Sequence, residues 1–214
     1  MPQPNQPGLS PLPAALIATP RDDLCLEFID TRYWRGTDQP TEGLTKLDDV
    51  LDWCAAMGTA TAATLAPLRD YWRDNPKPAA RVFEASVALR ETLFRIFSAI
   101  AAAHPPAAED LATLNAALAR APARLRLESD DGQWRWRVDK LKPDMPSLLA
   151  PVLWSAADLL ARPARQRVRS CANAKCLWLF LDDSRSGTRR WCSMSACGNR
   201  AKAHRHYQRS KAAG

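Results

Sequence analysis

The chain has 214 residues, 46% of them hydrophobic, and 30 Lys and Arg against 23 Asp and Glu, a formal net charge of +7. That length holds one ordinary domain plus a small one, and the apolar content is enough for a core, which excludes a scaffold that depends on disulfides. The charge is unevenly spread: residues 165–214 hold 12 Lys/Arg and 2 Asp/Glu, a net of +10, which leaves 18 and 21, a net of −3, for residues 1–164. A basic end on a mildly acidic body suits a polyanionic partner for the end alone.

Residues 1–20 contain six prolines and read as a disordered, extended tail. The apolar run Leu12–Ala18 is short and lacks a basic flank. It is read as neither signal peptide nor membrane span, so a reducing cytoplasmic location is expected. Order is expected from Asp22 or Asp23, either of which can cap a helix over Leu24–Tyr33.

Thr45–Met57 follows as a helix with Leu47, Val50, Leu51 and Cys54 on one stripe, a Thr45/Asp48 capping box and Gly58 as its stop. Thr61–Trp72 is a second helix, closed by Pro76 and Pro78. Ala79–Ala103 is the longest, with Phe83, Val87, Phe94, Phe97 and Ile100 making it the central core helix. Ala108–Ala119 comes after it. The period then changes to two over Leu125–Glu128 and Trp134–Val138, with Asp131-Gly132 between, which predicts a β-hairpin. Ser147–Leu160 is a last helix with Pro151 in its first turn, and Arg162-Pro163 marks a boundary. The fold class predicted is α+β, mostly α: a helical domain over 21–163 with one hairpin, then a small module of zinc-ribbon or treble-clef type over 164–214.

That module carries the strongest chemistry. Cys171-x4-Cys176 and Cys192-x4-Cys197 are separated by 15 residues. Four thiolates close a tetrahedral shell around one structural Zn²⁺, and such a module takes much of its folding energy from the metal. Four cysteine ligands leave no open position for water, which argues against a catalytic site. Leu177–Leu181 reads as a strand, 182–187 as a turn and Arg189–Trp191 as the return strand. Cys25 and Cys54 sit in apolar segments and read as buried free thiols.

The run Arg189-Arg190-Trp191-Cys192-Ser193-Met194, with Cys197-Gly198-Asn199-Arg200, resembles the CGNR zinc-finger family over residues 167–207. More weakly, Leu24–Thr31 resembles the opening motif of the ABATE domain to which bacterial CGNR fingers are joined. That family usually has Asn where this chain has Asp30. The resemblance implies a bacterial, stress-induced regulator of transcription.

The residues suggest how the basic end would act. On a helical wheel Lys202, Arg205 and Arg209 share a face, with Arg200 and Lys211 beside Ala203 and Tyr207 on the other. With Arg185, Arg189 and Arg190 these cations suit phosphate contact, to DNA in preference to RNA. Asn199 is placed either to read a base or to hold the knuckle. Arg189 and Arg190 serve either a partner or the charge of the metal site. Trp178 and Phe180 either stack bases or form the core of the finger. In the body, Arg90 lies on the apolar stripe and needs a partner, Glu27 or Asp30. Its other reading is a pocket of Asp30, Thr31 and Arg90 for a small acidic ligand. No motif makes a case for an enzyme. The body is expected to sense a ligand or to form a homodimer. The alternatives are a module docking on an acidic protein and, behind it, an enzyme with a pocket near Arg90.

Overall fold

The computed structural model describes residues 15–18, 20–130, 132–139 and 141–203. Its axis is a helix of 26 residues, Pro76–Ala101. Ala, Leu, Glu and Arg, all good helix formers, make up half of it. Pro76 and Pro78 open this helix rather than closing the one before it, since the first turn has no N–H that proline would remove from a bond. Its buried stripe runs Val82, Ser86, Leu89, Leu93, Ile96 and Phe97. Phe83, Val87, Phe94 and Ile100, expected on that stripe, sit at its half-buried margins.

Around this axis, in chain order, are β1 (Ala15–Ala18), α1 (Leu24–Ile29), β2 (Arg32–Tyr33), β3 (Thr41–Glu42), α2 (Leu47–Ala56) and α3 (Ala62–Asp74). The axis itself is α4, followed by α5 (Ala108–Arg120), β4 (Arg126–Asp130), β5 (Gln133–Val138), α6 (Met145–Leu148) and α7 (Ala150–Ala161). Helices α1, α2, α3 and α5 all pack on α4, and α1 also lies against α7, where the Cys25 N–H donates to Ser155 Oγ at 3.0 Å.

Several boundaries differ from the sequence reading. The helix expected over Leu24–Tyr33 stops at Ile29, and the chain pairs Arg32 with Glu42 and Tyr33 with Thr41. Helix α2 is capped by Asp49, not Asp48: its carboxylate accepts the N–H and Oγ–H of Thr45, both at 2.7 Å, and the Lys46 N–H at 3.1 Å. The expected Ser147–Leu160 helix is two helices, broken at the buried Leu149, and Asp144 caps the first through the Ser147 N–H. Residues 15–18, assigned above to the tail, form an edge strand. Ala15 and Ile17 are apolar and alternate, so pairing with β5 buries both (Ala15 with Val138, Ile17 with Trp136).

After a 3₁₀ turn over Pro163–Arg167, the finger begins with β6 (Val168–Ser170), paired antiparallel with β7 (Leu179–Leu181). The return strand expected at Arg189–Trp191 is therefore absent among the described residues. Asp182 explains this: its buried carboxylate accepts the Ser184 N–H, the Ser184 hydroxyl and the Arg189 N–H, which ties the loop back on itself. Val168 and Leu179 lie in the same apolar core as the helices, so the finger is seated on the body and not tethered to it. A π-helical turn, Met194–Gly198, continues as α-helix over 199–203.

Candidate metal centre and nucleic-acid interface

Cys171, Cys176, Cys192 and Cys197 converge, with all four sulfurs within 4.8 Å of one another. Cys176 and Cys192 are 3.8 Å apart, the edge of a tetrahedron around an ion bonded at about 2.3 Å. The widest separation exceeds that edge, so closing on one ion draws the sulfurs together.

The two knuckles are built by local hydrogen bonds. Asn173 organises the first: its Oδ1 accepts the Lys175 N–H at 3.1 Å, its carbonyl accepts the Cys176 N–H at 2.8 Å, and its Nδ2 donates to Cys197 Sγ at 3.6 Å. Sequence reasoning passed over Asn173, although Asn in a loop is a residue whose side chain bonds the backbone two residues on in an Asx turn. In the second knuckle Ser193 caps the π-helical turn through the Ala196 N–H. Burial and then the neighbouring sulfurs push the Cys176 thiol up to about 12 and push Cys192 up as well. Burial also works to raise Cys197, but hydrogen bonds from Asn173 and the other cysteines outweigh it and hold that thiol below its ordinary value. Three buried cysteines, a fourth half-buried and a donor aimed at one sulfur fit a divalent cation, whose charge would offset half of that on four thiolates.

Arg189 belongs to the finger. It donates to the carbonyls of Trp191 and Cys192, and its guanidinium stacks on Phe180 at 4.6 Å. Arg185, Arg190, Asn199, Arg200 and Lys202 are exposed. The Asn199 amide donates to the Ser195 carbonyl one turn back, at 3.3 Å. Arg190 and Arg200 line one depression of about 490 Å³ together with Asn173 and Trp191. Arg205, Arg209 and Lys211 lie outside the described residues. Phe180 is buried in the finger, whereas Trp178 is half-buried and meets Tyr33 of the body with ring centroids 5.5 Å apart.

Arg90 is fully buried, but its partners are neither Glu27 nor Asp30. It holds Glu42 with two hydrogen bonds of 2.5 and 2.6 Å, Glu91 at 3.0 Å and the Thr31 hydroxyl at 3.2 Å. Burial works to raise both carboxyls, but Arg90 and the Leu44 N–H hold Glu42 below the usual range, and Arg35 and Arg90 hold Glu91 below it. Four of the five N–H groups of Arg90 are thus engaged inside the protein, and Asp30 points instead to the finger. Arg90 donates to Thr31, while the Asp30 carboxylate accepts from Leu179 of the finger. No helix among the described residues is long and apolar enough to cross a membrane.

A search of curated proteins found no match. Two protein families do match. The CGNR zinc finger covers residues 167–210, which includes all four clustered cysteines. The ABATE family, described as "Putative stress-induced transcription regulator", covers residues 22–163, and with them all of α1 to α7. Both are regulator or zinc-finger families and neither is an enzyme family. The chain therefore belongs to the ABATE family and carries a CGNR zinc finger at its C-terminal end.

Proposed function

We propose that this protein is a cytoplasmic, zinc-containing regulator of transcription whose finger binds the phosphate backbone of DNA. One structural zinc is held by Cys171, Cys176, Cys192 and Cys197. The observation that carries the reading is the depression beside Cys197, where the exposed Arg190 and Arg200 face the same space. Two guanidinium groups with Asn173 and Trp191 offer fork-shaped donors and an aromatic face, the chemistry of a phosphate and an adjoining base. Lys202 and Arg185 extend the cationic surface, and Arg205, Arg209 and Lys211 add charge in the sequence that follows. Arg189 supports the fold of the finger and leaves contact to its neighbours. The body acts as sensor or dimerisation unit.

Binding of the full chain to a random-sequence DNA duplex, and to RNA of the same sequence, tests this by fluorescence anisotropy over a salt series. The expected result is saturable binding that weakens steeply with salt, with DNA bound more tightly. Docking on an acidic protein is the rival class. It takes first place if unlabelled nonspecific DNA fails to compete and the chain binds no nucleic acid at low salt.

A further inference from the structure

Between finger and body lies a cleft of about 530 Å³. One wall is α1, which contributes Asp23, Leu26 and Glu27; the other is the finger around Trp178. Tyr33 and Trp34 close one side. Cys176, Cys192 and Cys197 line it as well, so part of that volume is the metal site itself; the rest lies at a junction between domains, a favoured place for a small-molecule site.

Its chemistry is one-sided. Among the lining residues the carboxylates are Asp23, Glu27 and Asp183, and the cation is Arg189. Arg189 has its donors turned to the Trp191 and Cys192 carbonyls and to Asp183, so it offers little to an incoming anion. Asp23, the cap of α1, and Glu27, four residues on, form salt bridges with Arg21 at 3.2 and 3.6 Å and with no other cation among the described residues. All three side chains are more than 40% exposed, and a surface ion pair of this kind is displaced at little cost. Facing these carboxylates is aromatic surface: Tyr33 against Trp178, tilted by 40°. Trp34, in the same wall, has φ of 53°, a left-handed backbone that a bulky residue adopts only when its surroundings hold it there. Its ring is held from the finger side by Arg200, 4.7 Å from the centroid.

We infer that this cleft binds a small organic cation, a protonated amine or quaternary ammonium on a flat apolar body. The apolar part lies against Tyr33 and Trp178, where an aromatic face attracts positive charge, and the cationic head lies toward Glu27 and Asp23. This is the opposite charge class from the acidic ligand expected near Arg90. Because the cleft has one wall in the body and one in the finger, an occupant touches both.

The test is a ¹H–¹⁵N NMR titration of the zinc-loaded full chain without nucleic acid, so that its outcome is separate from that of the DNA experiment. The probes are benzyltrimethylammonium, benzyl alcohol and benzoate. Saturable shifts of the Glu27, Tyr33 and Trp178 signals are expected with the ammonium, with binding weaker by about threefold or more for the neutral alcohol and absent for benzoate. Glu27→Gln changes one exposed charge and is expected to weaken ammonium binding by about threefold. Tyr33→Leu, which removes a ring face, should do the same. Benzoate binding as tightly as the ammonium, no saturable shift with the ammonium, or unchanged affinity in Glu27→Gln each overturns the assignment.

Discussion

The Asp30 carboxylate accepts the Leu179 N–H at 3.2 Å and so ties α1 of the body to β7 of the finger, residues 149 positions apart. Asp30 is buried and its second oxygen, Oδ2, has no hydrogen-bond partner. Burial, opposed by the Leu179 N–H, pushes its carboxyl well above the usual range. Between pH of about 4 and that raised folded value the group is neutral in the folded protein and charged in the unfolded chain. Its contribution to stability is complete below pH of about 4 and is lost as pH rises through the raised folded value.

Asp30→Asn keeps the acceptor for Leu179 and removes the charge. It is expected to stabilise the protein at pH 7, because the ionisation that favours the unfolded chain is gone, and to give no gain near pH 4. Thermal unfolding at both pH values measures this. A lower Tm at pH 7 would show that the carboxylate itself is needed.

Arg90 gives a pH dependence of the opposite sign. Glu42 and Glu91 are held below the ordinary glutamate value, so their stabilisation is present above pH of about 4.3 and lost as pH falls through the lower folded values. Arg90→Ala takes the buried partner from Glu42, which is 36% exposed, while Glu91 keeps Arg35, and is expected to cost about 1–3 kcal/mol. Denaturant unfolding at pH 7 checks the size. A pH series from 2 to 6 should show that Glu42→Gln shrinks the acid-induced loss. A loss for Arg90→Ala well under 1 kcal/mol would contradict the ion pair as described.

Gly36 marks the second tie between body and finger. Its N–H donates to the Lys175 carbonyl at 3.3 Å, and a Cβ there would collide with the Ala174 carbonyl oxygen. The obstacle is backbone and cannot turn away, so Gly36→Ala is expected to cost about 1–3 kcal/mol and to loosen the finger without emptying its metal site. Unfolding and metal content, measured on one preparation, separate the two effects. A neutral Gly36→Ala would mean that this approach is not tight in solution.

The parts of this molecule legible in sequence are those with local causes. Leu47, Val50, Leu51 and Cys54 fall on one stripe because helical period alone decides it, and all four are buried. The cysteine frame is legible because spacing and ligand chemistry are written along the chain, and the four sulfurs do converge. What was missed depends on partners far away. Arg90 chose Glu42, brought in by the short β2–β3 ribbon, and no periodicity announces a two-residue strand. The partner of β7 proved to be Val168–Ser170, because Asp182 folds the intervening loop through three hydrogen bonds that no hydrophobic pattern encodes. Ala15–Ala18 looked like tail because prolines surround it, while its burial comes from β5, more than a hundred residues later.

The metal reading predicts one zinc per chain, and loss of cooperative unfolding of the finger when a strong chelator removes it. Thiol titration then separates the six cysteines. Cys25 and Cys54 are fully buried, and burial pushes both thiols up to about 12, so they should stay unreactive in the folded body. The four clustered cysteines should react only after chelation. Prompt reaction of those four in metal-replete protein, or a disulfide among them in reduced protein, would contradict the site.

The most direct test of the proposed function is the salt dependence of DNA binding by the parent and by the triple variant Arg190→Ala, Arg200→Ala, Lys202→Ala. All three side chains are exposed, but Arg200 also stacks on Trp34 and Arg190 on Trp191, so unfolding and zinc content are measured on the same preparations and the comparison is made at equal folding and zinc content. If each meets a phosphate, the slope of log affinity against log salt should become shallower by about 3, with affinity lost equally across unrelated DNA sequences. A variant that binds DNA as tightly as the parent at every salt concentration would contradict the proposed interface.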